Sequence, residues 1–248
     1  SGVKLGEQTG YDSGSTLDYV YRNKPDGLTT LGRFADKIYL NSIGWRGIRQ
    51  RKRHIEELLL WAMKTLREKG QRLDILDIAS GHGRYILDAI EKSDLKPDSI
   101  LLRDYSELNV TQGSQLIVDK GLQSIASFIK ADAFDPASYE NIEIKPTLGV
   151  VSGLFELFSE NKLILNALNG FASVISPDGY LIYTGQPWHP QLELIARALT
   201  SHRKGDAWVM RRRTQSEMDQ LVESCGFRKI DQRIDKFGIF TVSIAIRI

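Results

Sequence analysis

Leu73-Asp74-Ile75-Leu76-Asp77-Ile78-Ala79-Ser80-Gly81-His82-Gly83 sets an apolar run, an acidic side chain and a small-residue turn in succession. Small residues at Ala79, Gly81 and Gly83, with Ser80 among them, let the backbone turn sharply and approach a ligand closely. Asp104 stands 21 residues after Gly83, at the end of the next apolar run. A carboxylate there can accept hydrogen bonds from ribose hydroxyls. Together the two signals describe a loop for a nucleotide-type cofactor. A dinucleotide fingerprint needs a further small residue and room for a diphosphate. Here Arg84-Tyr85-Ile86 follow, which disfavours an NAD-dependent oxidoreductase.

This pattern resembles the first motif of class I S-adenosylmethionine-dependent methyltransferases, acidic-x-G-x-G-x-G, with Ala79 in place of the first glycine. Later landmarks are similar to that family in the same order. Ala131-Asp132-Ala133-Phe134 resembles its acidic segment beside the adenine. Thr147 to Ser152, followed by Gly153-Leu154-Phe155-Glu156, looks like its fourth motif at the methyl-transfer site. Pro177-Asp178-Gly179 turns into a strand much like its fifth, and Gly226 to Arg247 resembles its closing hairpin. The resemblance covers residues 73 to 247 and implies S-adenosylmethionine as cofactor. It assigns Asp77, Ala79, Ser80, Gly81 and Gly83 to the loop and the methionine end. Asp104 falls to the ribose, Asp132 and Ala133 to the adenine, and Ser152 and Gly153 to the fourth motif, with Tyr105 a further cofactor contact. From the residues alone, the alternatives are that Asp77 caps the helix or bonds the loop's backbone amides, and that Asp104 is a solvent-facing turn residue, a role its position disfavours against ribose binding. Two further runs, Leu17-Asp18-Tyr19-Val20-Tyr21-Arg22-Asn23 and Gly44-Trp45-Arg46-Gly47-Ile48-Arg49-Gln50-Arg51, look like a narrower bacterial methyltransferase family sometimes fused behind an α/β-hydrolase domain. That likeness implies an upstream hydrolase domain in the natural chain.

Methyl transfer from a sulfonium is an in-line displacement, so positioning and exclusion of water matter most. A base is needed only when the acceptor must lose a proton. Glu156 and His189 are the candidate catalytic residues, each following a strand on the cofactor side. The alternatives are that Glu156 complements a helix dipole and that His189 is a hydrogen-bonding loop residue. Tyr19, Tyr21, Arg46 and Trp188 are candidate acceptor contacts. The tyrosines, with Tyr11, form either a lid or simple packing for the extension. Arg46, Arg49, Arg51, Lys52 and Arg53 make one basic cluster, and Arg211-Arg212-Arg213 a second. Each is a solvated face unless it converges beside the cleft, where it would favour an anionic acceptor such as a lipid headgroup.

The elements that must position these groups follow from periodicity. Apolar residues recur along Gly47 to Lys69 as one helical stripe, ended by Gly70. Strands are expected near 73–79, 99–104, 125–130, 147–152, 179–185, 227–234 and 238–246, with helices between the first six. This reads as an α/β, Rossmann-like, seven-stranded, mostly parallel sheet with one antiparallel strand and helices on both faces. Residues 1–46 form a loosely structured, mainly helical extension or lid, and 47–248 the methyltransferase domain. With 33 basic and 31 acidic residues, net charge +2, composition gives no argument for nucleic acid. An RNA-modifying or nucleic-acid-binding module on the same fold is the rival, but Ser152-Gly153-Leu154-Phe155 is unlike the N-P-P-Tyr/Phe signature of base-amino methylation. One cysteine excludes an internal disulfide and a cysteine metal cage. No segment nears the ~20 apolar residues that cross a bilayer. A cytoplasmic enzyme with a small-molecule or lipid-like acceptor is therefore expected, with membrane-surface contact left open.

Overall fold

The computed structural model describes residues 1–140, 142–203 and 205–248. Its centre is a seven-stranded sheet in the order β3-β2-β1-β4-β5-β7-β6. Strands β1 (Asp74–Ile78), β2 (Ser99–Asp104), β3 (Ala126–Lys130), β4 (Leu148–Val151) and β5 (Tyr180–Gly185) run parallel. Strand β7 (Thr241–Arg247) runs antiparallel between β5 and β6 (Phe227–Ile234). All of β1, β4 and β5 is buried, which is why these strands, Asp74 and Asp77 of β1 apart, read as mainly apolar rather than alternating.

Side chains alternate across the sheet. Ile75, Ile100, Val150 and Ile182 face a layer of α4 (Ile43–Glu68), α5 (Arg84–Glu91) and α6 (Glu107–Asp119). Leu76, Val151 and Leu181 face α7 (Ala137–Glu140), α8 (Asn161–Val174) and α10 (Gln215–Ser224). Ser106 caps α6 and Thr214 caps α10, accepting from the backbone N–H groups of Asn109 and Glu217.

The amino-terminal segment is more ordered than its Gly- and Ser-rich composition suggests. It forms α1 (Gly2–Thr9), α2 (Gly14–Arg22) and α3 (Thr30–Leu40). Tyr11, Tyr19, Val20 and Leu40 pack with Trp45, Ile48, Trp208, Met210 and Phe240, and with Ile195 of α9 (Leu192–Ala198), as a third apolar cluster. Burial of these aromatics supplies the ordering that local propensity lacks. Helix α4 starts at Ile43, four residues earlier than its stripe suggests, and runs across positions 46 and 47. Its early glycines serve packing: a Cβ at Gly47 would meet the Phe240 ring at 2.9 Å. Strand β7 also starts later than expected, because the Asp235 carboxylate accepts from the N–H groups of Phe237 and Phe240 and extends the preceding turn. No described helix is long and apolar enough to cross a membrane.

Candidate active site

The glycine loop leaves β1 with three positive φ angles, 50° at Ala79, 60° at Gly81 and 69° at Gly83. Ala79 therefore adopts the left-handed backbone at the position where the motif has glycine, a strain of about 1–2 kcal/mol. The Ser80 N–H and Oγ both donate to the Arg103 carbonyl at 3.0 Å. Asp104 Oδ2 accepts from the Gly81 N–H at 2.9 Å, and Oδ1 accepts from the Ser106 N–H at 2.9 Å and Asn109 Nδ2 at 3.0 Å. Gly83 packs on β2, where a Cβ would meet Leu102 Cδ1 at 2.4 Å.

These groups open onto a cavity of about 1030 Å³ at the carboxyl ends of β1, β2 and β4. Ala79, Ser80, Gly81, Asp104, Tyr105, Asp132, Ala133, Ser152 and Gly153 all line it. Tyr105 is 72% exposed. Asp132 Oδ1 accepts from the Phe134 N–H at 2.8 Å. Ser152 is buried with no partner for its Oγ. Gly83 and Asp77 are not among the lining residues. Asp77 is fully buried behind the loop, with Oδ1 accepting from Tyr85 Oη at 2.9 Å and Oδ2 unpartnered. Burial holds its carboxyl well above the ordinary carboxylate range.

Helix α2 forms the facing wall with Ser13, Gly14, Ser15, Leu17, Asp18 and Tyr21. Asp18 takes the Arg84 Nε donor and Arg22 Nε at 3.0 Å, with His82 Nδ1 3.7 Å away. Burial opposes its charge, but hydrogen bonds from His82 and Arg84 prevail and hold the carboxyl down to about 2. Asp18, Ser15 and Leu17 were missed as wall residues in reading the sequence. The signal for Leu17 and Asp18 was present in the run Leu17 to Asn23, and Ser15 lies just before that run.

A second cavity, of about 250 Å³, adjoins the first, and Asp12, Leu17, Gly153 and Leu157 line both. Its walls are largely apolar, with Trp45, Ile48, Ile195, Trp208, Met210 and Phe240. Into it face Glu156 and Arg51, 7% and 2% exposed and paired at 3.3 Å between Nη1 and Oε1. Gly153 admits the guanidinium, since a Cβ there would stand 3.1 Å from Arg51 Nη2. His189 lines the same cavity, with Nδ1 accepting from the Gln191 N–H at 3.0 Å, and its burial depresses its pKa. The neutral ring then carries its proton on Nε2 and acts as a donor there.

Other candidates lie elsewhere. Tyr19 lines neither cavity; its hydroxyl donates to Asp36, fastening α2 to α3. Arg46 sits over the Phe237 ring at 5.0 Å, and Trp188 is 46% exposed, also outside both cavities. The basic clusters do not converge on the cleft. Arg49 donates to the Leu40 carbonyl, and Lys52 pairs with Glu56 and Asp88. Arg211 pairs with Glu217, and buried Arg213 donates to the carbonyls of Phe155, Phe158 and Ser159. Of the first run only Arg51 reaches a cavity, and Glu156 neutralises it.

Residues 1–247 match a protein family described as "Putative methyltransferase". The chain belongs to that methyltransferase family. This methyltransferase is 56% identical over 247 residues to "Uncharacterized protein YnbC" of Escherichia coli strain K12; it is matched over its whole length and spans 42% of that relative. Among solved structures, it is similar to magnesium protoporphyrin IX methyltransferase from Synechocystis PCC 6803 with bound SAH, with TM-score 0.64 and 13% identity over 97% of this chain and 98% of that one. A protein from Bordetella parapertussis titled as a possible exported protein gives TM-score 0.71 and 16% identity over 95% and 79%. An S-adenosylmethionine-dependent methyltransferase from Clostridium acetobutylicum ATCC 824 gives 0.61 and 12% over 88% and 99%. Family and fold agree: the chain belongs to a methyltransferase family and shares the fold of solved S-adenosylmethionine-dependent methyltransferases. The residues present fit that cofactor: a deep cleft at the strand ends, a glycine loop whose backbone is open to it, and unpartnered polar atoms on Ser152 and, behind the loop, Asp77.

Proposed function

We propose that this methyltransferase holds S-adenosylmethionine in the larger cavity and methylates a small molecule seated in the smaller one. The observation that carries this reading is the junction of the two cavities at Gly153 and Leu157, with the glycine loop on one side and Glu156 on the other. In this reading Asp104 and Tyr105 meet the ribose and adenine, Asp132 and Ala133 the adenine edge, and the loop around Gly81 the methionine portion. Asp77 acts through the loop from behind. The bound cofactor supplies an electrophilic methyl group. Helix α2 and the Asp18–Arg84 pair keep water from the cleft.

A cavity of about 250 Å³ favours a small molecule over a polymer as acceptor. The nucleic-acid rival loses support because Arg51, Lys52, Arg211 and Arg213 are spent on internal partners rather than displayed as a stripe. The test is to incubate the protein and cell extract with methyl-labelled S-adenosylmethionine. Label in a low-mass product supports the reading, and label confined to RNA overturns it.

A further inference from the structure

Among the described residues, four buried side-chain atoms without hydrogen-bond partners belong to residues that line the 250 Å³ cavity: Tyr39 Oη, Glu156 Oε2, Arg51 Nε and Trp208 Nε1. Leaving a buried polar atom unpaired costs about 1–3 kcal/mol, and more when it is charged, so such a cluster in one cavity points to a missing partner. The atoms are not equivalent. Glu156 offers an acceptor, Trp208 and Arg51 offer N–H donors, and the Tyr39 hydroxyl serves in either role.

Charge narrows the choice. Arg51 and Glu156 cancel each other. Asp12, on the rim, is held by Ser201 and His202. A carboxylate or phosphate entering here would face Glu156, and an ammonium would face Arg51, each desolvated among apolar walls. The aromatic and aliphatic lining suits a flat, compact body.

We infer that the acceptor is a neutral, ring-containing molecule whose phenol-type hydroxyl donates to Glu156 Oε2 and whose second oxygen accepts from Trp208 Nε1. This rests on the reading that the smaller cavity is the acceptor site. The hydroxyl oxygen is the nucleophile. As the O–CH₃ bond forms, the C–S bond of the sulfonium breaks, its electron pair stays on sulfur to give the neutral thioether, and the hydroxyl proton passes to Glu156. A phenol, with a pKa near that of tyrosine at about 10, gives up this proton more readily than an alcohol does. Arg51 is a positioning residue that holds Oε1 so that Oε2 faces the acceptor.

The experiment titrates 4-hydroxyacetophenone into the protein saturated with S-adenosylhomocysteine, by saturation-transfer NMR. The comparisons are 4-methoxyacetophenone, in which the hydroxyl is capped, and 4-hydroxybenzoate, which is anionic. The hydroxyketone is expected to bind about tenfold more tightly than either. Glu156→Gln and Trp208→Phe should each weaken it by about fivefold or more. If Glu156→Gln fails to fold, Trp208→Phe decides, because it removes only a donor that is unpaired in the free protein. Its thermal midpoint should be unchanged or higher. Equal binding of the ether, tighter binding of the benzoate, or unchanged affinity in Trp208→Phe overturns the inference. Failure of S-adenosylhomocysteine to bind, with discrimination among the three probes intact, would instead sink the cofactor reading and leave this subsite standing.

Discussion

Asp104 Oδ2 stands 2.9 Å from the Gly81 backbone nitrogen, so one carboxylate ties the end of β2 to the loop after β1. Its second oxygen serves the first turn of α6 through Ser106 and Asn109. The residue expected to meet the ribose thus also shapes the loop proposed to meet the methionine portion. Asp104→Ala should weaken S-adenosylhomocysteine binding by about tenfold or more and cost about 1–3 kcal/mol of stability, because it unpairs three donors. Calorimetry and denaturant titration read the two effects separately. Unchanged affinity would remove Asp104 from the cofactor site.

Asp77 should show the opposite balance. Its folded-state pKa lies well above the unfolded value because it is buried. Between about pH 4 and that raised value the folded protein binds the extra proton, so the stability Asp77 confers declines as pH rises. Asp77→Asn keeps an acceptor for Tyr85 and removes this loss. It should be more stable than the parent at pH 8, by about 1–3 kcal/mol, with the gap closing toward pH 4, and should bind cofactor more weakly. Thermal melts across pH check this, and a gap independent of pH would contradict it.

Asp18 titrates in the other sense. Its carboxyl, held down to about 2 despite burial, contributes stability that is complete above the unfolded value near 4 and is lost as pH falls toward 2. Asp18→Asn should lose about 2 kcal/mol at pH 7 and release α2 from Arg84. Amide exchange of residues 14–22 should then speed up. Unchanged exchange would show that the third apolar cluster alone seats α2.

His189 should matter little as a base. With Nδ1 taken by the Gln191 N–H, its neutral ring donates at Nε2. Once an acceptor is in hand, His189→Asn should lower kcat by no more than about tenfold and leave the acid limb of the pH–rate profile in place. Loss of that limb would restore His189 as the proton acceptor.

The sheet and cofactor loop were legible because their signals are local. Buried parallel strands print mainly apolar runs, and Asp104 follows the loop at a fixed distance. The smaller cavity was not legible. Arg51 stands in a run with Arg46, Arg49 and Arg53, and nothing local says which guanidinium a 100° step turns inward beside Gly153. Trp208, Met210 and Phe240 come together only because α9, the 208–210 segment and the turn before β7 fold over α4. Tyr19 and Tyr21 illustrate the same limit: two residues apart on α2, one faces Asp36 and the other the cleft.

The most direct measurement is a crystal structure of the protein soaked with S-adenosylhomocysteine. Expected is density in the larger cavity, with the ribose on Asp104 and the sulfur directed toward Gly153 and the smaller cavity. Density elsewhere, or none at saturating concentration, would contradict the assignment of the cleft and with it the direction of methyl transfer.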